Sequence, residues 1–173
     1  MPARPQATEY APFYAGYVAS VRDGDIRDIV REGKEELAAT LGSIPESRGG
    51  YAYAEGKWSI KTVIGHMIDA ERIFSYRVLR LARGDKTPLP GFEENSYAAT
   101  ARSDERTVAD LAAEMLDVRV STIRLLDSIP DDAWERSAMV SIGEATVRAI
   151  AYILVGHARH HLKVLRERYG VGQ

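Results

Sequence analysis

Residues 147–169 have the sequence VRAIAYILVGHARHHLKVLRERY. Core-type positions recur every three or four residues along this stretch, at Val147, Ile150, Leu154, His157, His161, Val164 and Arg168. That spacing predicts a helix of about six turns, and Gly170 is a typical signal for its C-terminal end. His157 and His161 therefore occupy positions where the pattern otherwise places core residues.

Three earlier segments show the same helical periodicity. They run from about Ile26 to Leu41, from about Ile60 to Ala82 and from about Val108 to Ser128. Ser59 and Thr107 precede the second and third segments, where N-terminal caps are expected. Strand signals are weak throughout. The sequence therefore predicts an all-α four-helix bundle that forms a single domain over residues 1–173.

The connection between the second and third predicted helices is long, from Arg83 to Arg106, and contains Pro88 and Pro90. Such a connection suits neighbouring helices that run parallel, because the chain must travel back along the bundle. Its stretch 91–95 can fold over one end of the bundle as a lid. Three side chains of this region are then candidates for lining a pocket: Glu93, Glu94 and Tyr97.

The composition excludes several classes of protein. The 23 basic and 25 acidic residues are mixed along the chain, without the basic stripe of a nucleic-acid binder. Because there is no cysteine, disulfides, thiolate ligands and a cysteine nucleophile are excluded. No apolar stretch is long enough to span a bilayer, and residues 1–17 lack the apolar core of a signal peptide. We therefore expect a cytoplasmic protein without nucleic-acid or membrane partners.

Three of the four histidines can belong to one metal site. His157 and His161 lie about 40° apart around their helix and one turn apart along it, so both can bind the same ion. His66 lies beside the core face of the second predicted helix, and it can complete a three-histidine site that leaves coordination positions open. His160 is turned by about 100° from His161, toward a supporting or surface position. A pairing of His157 with His160 is the alternative.

A histidine pair at this spacing is common in helices that bind no metal. Two observations favour a metal here: an unpartnered buried imidazole costs free energy, and a third histidine is available. A metalloprotease helix would need glutamate at position 158, which is alanine, and no Glu-x-x-His pair of a di-iron protein is present. Three neutral nitrogens favour Zn²⁺, Ni²⁺ or a similar divalent transition metal over Mg²⁺ or Ca²⁺.

Other polar residues of the second predicted helix are weaker candidates. Asp69 can orient an imidazole, and Glu71 can take a catalytic role, although a solvated helix carboxylate explains each of them as well. Arg77 and Arg80 can meet an anionic substrate, but the simpler interpretation is that both pair with carboxylates at the surface. Trp58 is expected to pack against the start of its helix.

Four motifs recur in a known family: KWSI at 57–60, GHMIDAE at 65–71, PGFEEN at 90–95 and GHARHHL at 156–162. Each motif is loose alone, but their order and spacing are specific. Over nearly its whole length the chain resembles the DinB/YfiT-like superfamily of metalloenzymes. That resemblance implies a four-helix bundle with up-down-down-up topology and a metal triad at His66, His157 and His161.

The resemblance also implies a function. Members of the superfamily often form homodimers, and characterised members include transferases and isomerases that use bacillithiol or mycothiol. Others are named only as metal-dependent hydrolases. We therefore expect an enzyme that acts on a small molecule, either a hydrolase or a thiol S-transferase whose low-molecular-weight thiol arrives as a cosubstrate. The alternative is a non-catalytic, stress-linked binding or dimerisation module with a structural or vestigial metal site.

Overall fold

The computed structural model describes residues 3–172, and most of these residues are helical. None of the helices in that range is both long and apolar enough to cross a membrane. The α-helices are, in chain order, α1 (Ala15–Ala19), α2 (Ile26–Gly42), α3 (Ile60–Ala82), α4 (Glu94–Thr100), α5 (Val108–Asp127) and α6 (Val147–Tyr169). The prediction of an all-α four-helix bundle is confirmed, with α2, α3, α5 and α6 as the four long helices.

Side-chain caps set the starts of the four long helices. Asp25, Ser59, Thr107 and Thr146 each accept a hydrogen bond from a backbone N–H two or three residues further on. Each cap satisfies a donor that has no partner within the helix. Gly170 ends α6 in the left-handed conformation, with φ 66°. The predicted helix ends are therefore met to within one residue.

Contacts at successive levels give the directions of the helices. Glu71 contacts Arg119 and Ser75 contacts Thr122, so α3 and α5 run the same way. His66 lies beside His161, whereas Phe74, two turns later on α3, lies beside the earlier residue His157, so α6 is antiparallel to α3. Helix α2 packs against both α5 and α6 on the side opposite α3. The long connection thus carries the chain back along the bundle before α5 begins.

A small β-hairpin departs from the prediction that strands are absent. Strands β1 (Ser137–Val140) and β2 (Gly143–Thr146) pair antiparallel, and Leu89 of the long connection pairs with Val140 in parallel. The strands have only four residues each, and Ser141 in the turn adopts φ 57° without being glycine or asparagine. The usual sequence signature of a hairpin turn is therefore missing.

Two glycines let segments outside the bundle lie close to the predicted metal site. A Cβ on Gly156 of α6 would lie 2.2 Å from the backbone oxygen of Tyr17, because α1 packs directly across α6. A Cβ on Gly65 of α3 would lie 2.0 Å from the Oγ atom of Ser103. Each glycine immediately precedes a histidine of the predicted triad. Helix α1 itself, with five residues, is too short to be predicted from periodicity.

Candidate metal centre

The structure brings the Nε2 atoms of His66, His157 and His161 to one point. The Nε2 atom of His157 lies 3.1 Å from that of His66 and 3.2 Å from that of His161. One ring nitrogen from each residue lies within 4.8 Å of the other two. His66 is supplied by the first turns of α3, and the other two histidines by the middle of α6.

Hydrogen bonding alone does not account for this arrangement. The Nε2 atom of a neutral imidazole carries either one proton or one lone pair in the ring plane, so it cannot serve two in-plane partners well. His157 nevertheless has two Nε2 neighbours at contact distance. Nitrogens bound to one tetrahedral zinc ion at about 2.05 Å lie about 3.3 Å apart. The donor set and its spacing therefore fit a single divalent ion.

Burial keeps these imidazoles neutral. His66 and His157 are 4% and 7% exposed, respectively. Burial, reinforced by neighbouring histidines, lowers the pKa of His66 to about 4 and that of His161 to about 3. The pKa of His157 is also lowered well below 6.5, again mainly by burial. At neutral pH all three side chains thus offer lone pairs, which is the form that binds a metal.

Aromatic rings enclose the three histidines. The ring of Trp58 lies 4.9 Å from that of His66, centroid to centroid, while Tyr17 and Phe74 lie 5.5 and 5.6 Å from His157. Trp58 packs against the core at the start of α3 as predicted, and it also flanks the site. Tyr17 was missed in the sequence because the helix that carries it, α1, gives no periodic signal.

Two cavities reach different members of the group of three histidines. The first, here called the aromatic cavity, has a volume of about 400 Å³ and reaches His66 and His157. The second, here called the His161 cavity, has a volume of about 310 Å³ and also reaches His160. The aromatic cavity is lined further by Phe13, Tyr14, Tyr17, Phe74, Arg77, Phe92, Glu93, Glu94, Ser141 and Ile142. The His161 cavity is lined further by Tyr53, Gly56, Lys57, Trp58, Val63, Asn95, Val164 and Tyr169.

The start of α4 lies between these cavities. Glu93 and Glu94 line the aromatic cavity, whereas Asn95 lines the His161 cavity. The Glu93 carboxylate caps α4 and accepts from the backbone N–H groups of Asn95 and Ser96, which hold its pKa below its usual value. Tyr97 lines a separate cavity. The connection predicted as a lid therefore contributes the exposed rim of the candidate site.

The structure places Asp69 and Glu71 away from the three Nε2 atoms. Asp69 lines the separate cavity of about 220 Å³ together with Arg72, and burial raises its pKa. Both oxygens of Glu71 accept hydrogen bonds from the Arg119 guanidinium, at 2.5 and 2.6 Å. Within residues 3–172, neither carboxylate is hydrogen-bonded to an imidazole.

The two arginines of α3 have different surroundings. Arg80 pairs with Asp85 near the surface, as the simpler interpretation expected. For Arg77 that interpretation is wrong, because its side chain is 3% exposed and lines the aromatic cavity. His160 is exposed, and its ring lies 5.5 Å from that of Tyr17. It therefore lies at the surface beside the three histidines and outside their converging group.

Comparison with known proteins identifies the family. The model of the DinB superfamily matches residues 30–165, which include all three histidines. The chain belongs to the DinB superfamily. The prediction made from the four motifs is thereby confirmed.

Two curated relatives are both named as metal-dependent hydrolases. A protein of Oceanobacillus iheyensis named "Putative metal-dependent hydrolase OB0413" is 26% identical over 129 residues, covering 73% of each chain. A protein of Geobacillus thermodenitrificans, named "Putative metal-dependent hydrolase", is 26% identical over 164 residues. That match covers 88% of this chain and 90% of the relative.

Solved structures share the fold. YfiT from Bacillus subtilis, described as a probable metal-dependent hydrolase with an unusual four-helix bundle topology, matches with a TM-score of 0.70 at 19% identity. That match covers 84% of this chain and 89% of YfiT. A mycothiol-dependent maleylpyruvate isomerase matches with a TM-score of 0.68 at 15% identity, over 86% of this chain and 60% of the isomerase.

Proposed function

We propose that this protein is a metal-dependent hydrolase of a small molecule, and that His66, His157 and His161 bind its metal through Nε2. One observation carries the proposal: three neutral imidazole nitrogens converge on a point that borders a cavity of molecular size. The names of the curated relatives support the same activity. Three nitrogen ligands favour zinc or nickel as the ion.

His66, His157 and His161 would hold a divalent ion, which would supply the acidification of a bound water to a hydroxide nucleophile. The chain's own residues hold the ion, shape the cavity and exclude bulk water. Glu94 is exposed at the rim of the aromatic cavity, and no hydrogen bond or ion pair engages its carboxylate within residues 3–172. We propose this carboxylate as the proton acceptor of the reaction, because the cavity that it lines also reaches His66 and His157.

A thiol S-transferase is the second candidate, and the His161 cavity is the observation that favours it. One cavity reaches His66 and His157 and the other reaches His161, which gives a thiol cosubstrate and its acceptor separate places beside the group. The fold shared with a mycothiol-dependent enzyme is consistent with this activity. A homodimer stays a prediction of the family resemblance.

A purely structural metal site is less consistent with the geometry. Such a site is closed, with every coordination position filled by the protein. Here three histidines converge, and no carboxylate within residues 3–172 is placed to act as a fourth ligand. The aromatic cavity reaches two of the three histidines.

The test is elemental analysis of the purified wild-type protein, His157→Ala and His160→Ala, combined with an activity screen. We expect about one divalent ion per chain in wild type and His160→Ala, and loss of the ion in His157→Ala. Ester and amide hydrolysis is assayed without a thiol and then with bacillithiol, mycothiol or glutathione, which separates the two candidate activities. Full metal content and full activity in His157→Ala would contradict both.

A further inference from the structure

Arg77 is a buried cation without an acidic partner. Its side chain is 3% exposed, and its Nη2 donates to the carbonyl oxygen of Pro90 at 3.0 Å. Tyr14 lines the same cavity, and the guanidinium carbon of Arg77 lies 5.5 Å from the centre of the Phe74 ring. Within residues 3–172, no carboxylate forms an ion pair with Arg77.

Such a charge is costly to keep in this position. A buried ion that lacks a counter-ion loses hydration worth several kcal/mol. Burial lowers the pKa of Arg77, but an arginine side chain keeps its proton in proteins. Neutral contacts with a carbonyl and a ring compensate only part of the lost hydration. An anion that enters the cavity beside Arg77 would supply the missing partner.

The position of Arg77 orients such an anion relative to the three histidines. Arg77 follows His66 by about three helical turns, which puts both on one side of α3 and separates their Cα atoms by about 16 Å. Long helical side chains point back toward the N-terminus, so Arg77 leans toward His66. Both residues line the aromatic cavity, and Phe74 lies between them.

We propose that the aromatic cavity binds small monocarboxylates with an apolar or aromatic body, and that Arg77 holds the carboxylate. This substrate class rests on the proposed function, since the reacting group of the bound molecule would then face the three histidines. The aromatic walls match the apolar body. A guanidinium offers two parallel donors to a carboxylate, which gives both affinity and orientation.

A phosphate or a dicarboxylate fits the cavity less well. Arg77 is the only arginine or lysine among the lining residues within the described range, whereas Glu93 and Glu94 stand at the exposed rim. A dianion would therefore meet one cation inside and two carboxylates at the entrance. A single negative charge at the buried end avoids this repulsion.

The test uses metal-free protein, so that a carboxylate cannot bind the ion instead. Binding of 3-phenylpropionate is measured by calorimetry against 3-phenylpropionamide, a neutral molecule of the same shape. We expect the acid to bind at least about tenfold more tightly than the amide, the usual effect of a hydrogen bond to a charged group. Equal affinities of wild type for the two molecules would overturn the proposal, whatever any variant does.

Variants assign that preference to Arg77. Arg77→Met should lose the preference for the acid, Arg77→Lys should keep part of it, and Arg80→Met should keep all of it. Preference retained in folded Arg77→Met would overturn the proposal. The metal content of the same proteins is measured separately, so that the two proposals can fail independently. If the three histidines bind no metal, the preference for the acid should still be seen in wild type. If Arg77 binds no carboxylate, the metal content should still be that of wild type.

Discussion

Helix α3 carries two buried polar clusters that begin only five residues apart. They differ in whether the polar groups find all their bonding partners within the chain. At Glu71 the carboxylate receives two hydrogen bonds from one guanidinium, and both side chains are almost fully enclosed. At His66 three imidazoles converge on one point with too few hydrogens and lone pairs to satisfy one another. The first cluster is complete within the chain, whereas the second would be completed by the proposed metal ion.

The same contrast explains why burial alone does not identify a functional residue. Glu71 is as buried as His66, and the packing makes room for its partner: a Cβ on Gly33 would lie 3.2 Å from Arg119. Neither Glu71 nor Arg119 lines any of the three cavities described above, while the aromatic cavity includes His66. A buried polar group indicates function when its contacts are incomplete and a cavity reaches it.

The largest change in the free energy of unfolding is expected from a substitution in the Glu71–Arg119 cluster. Glu71→Ala leaves the Arg119 guanidinium buried without a counter-ion, which should cost about 3–5 kcal/mol of unfolding free energy. Metal content should stay at the wild-type level, because both Glu71 oxygens bond to Arg119 and, within residues 3–172, neither bonds to an imidazole. Urea denaturation and elemental analysis of the same protein check both statements.

The matched control for that prediction replaces both partners. Glu71→Leu combined with Arg119→Met removes both charges and keeps an apolar filling, so it should recover most of the lost stability. A loss below about 1 kcal/mol in Glu71→Ala, or a simultaneous loss of metal, would show that the two clusters are not independent.

The next largest effect is the stabilisation of the fold by zinc, compared between variants of the neighbouring residues His160 and His161. If the three imidazoles bind zinc, free zinc at a hundred times its dissociation constant should stabilise wild type by about 2.7 kcal/mol. His161→Ala should lose most of this stabilisation, and His160→Ala should keep it, because His160 is exposed and outside the converging group. Unfolding curves with and without zinc give the difference. Similar behaviour of the two variants would argue against the assigned ligands.

Features that repeat along one helix were predictable from the sequence. The core positions of α6, the cap at Thr146 and the glycine after Tyr169 set its bounds without any tertiary information. His157 and His161 were noticed because they interrupt that apolar pattern. The fold class and the grouping of the three histidines were therefore accessible before the structure.

Features that depend on distant partners were not predictable. Arg119, the partner of Glu71, is 48 residues away. Glu71 follows Met67 by four residues and Ile64 by seven, which places it on the apolar face of α3, but no local feature of the sequence identifies its partner. Arg77 follows Phe74 by three residues and so lies beside the apolar face of α3, but the contact with Pro90 and the cavity wall shared with Tyr14 come from segments distant in sequence. The hairpin and α1 are too short for periodicity to show. Arg77, the turn of the hairpin and α1 all contribute to the wall of the aromatic cavity.

The smallest effect is a difference between wild type and His66→Leu in how the free energy of unfolding of the metal-free protein depends on pH. An unfolded histidine has a pKa of 6.5, whereas folded His66 has a pKa of about 4, so between these values the unfolded chain binds more protons. Wild-type stability should therefore fall as the pH falls through this window. From pH 6 to pH 5, where most carboxylates have barely begun to titrate, His66→Leu should lose about 1 kcal/mol less than wild type. His160→Leu is the control and should follow wild type. If the free energy of unfolding of wild type and of His66→Leu changed in parallel with pH, His66 would not be held neutral in the folded protein. The argument that its cluster lacks a partner would then fail.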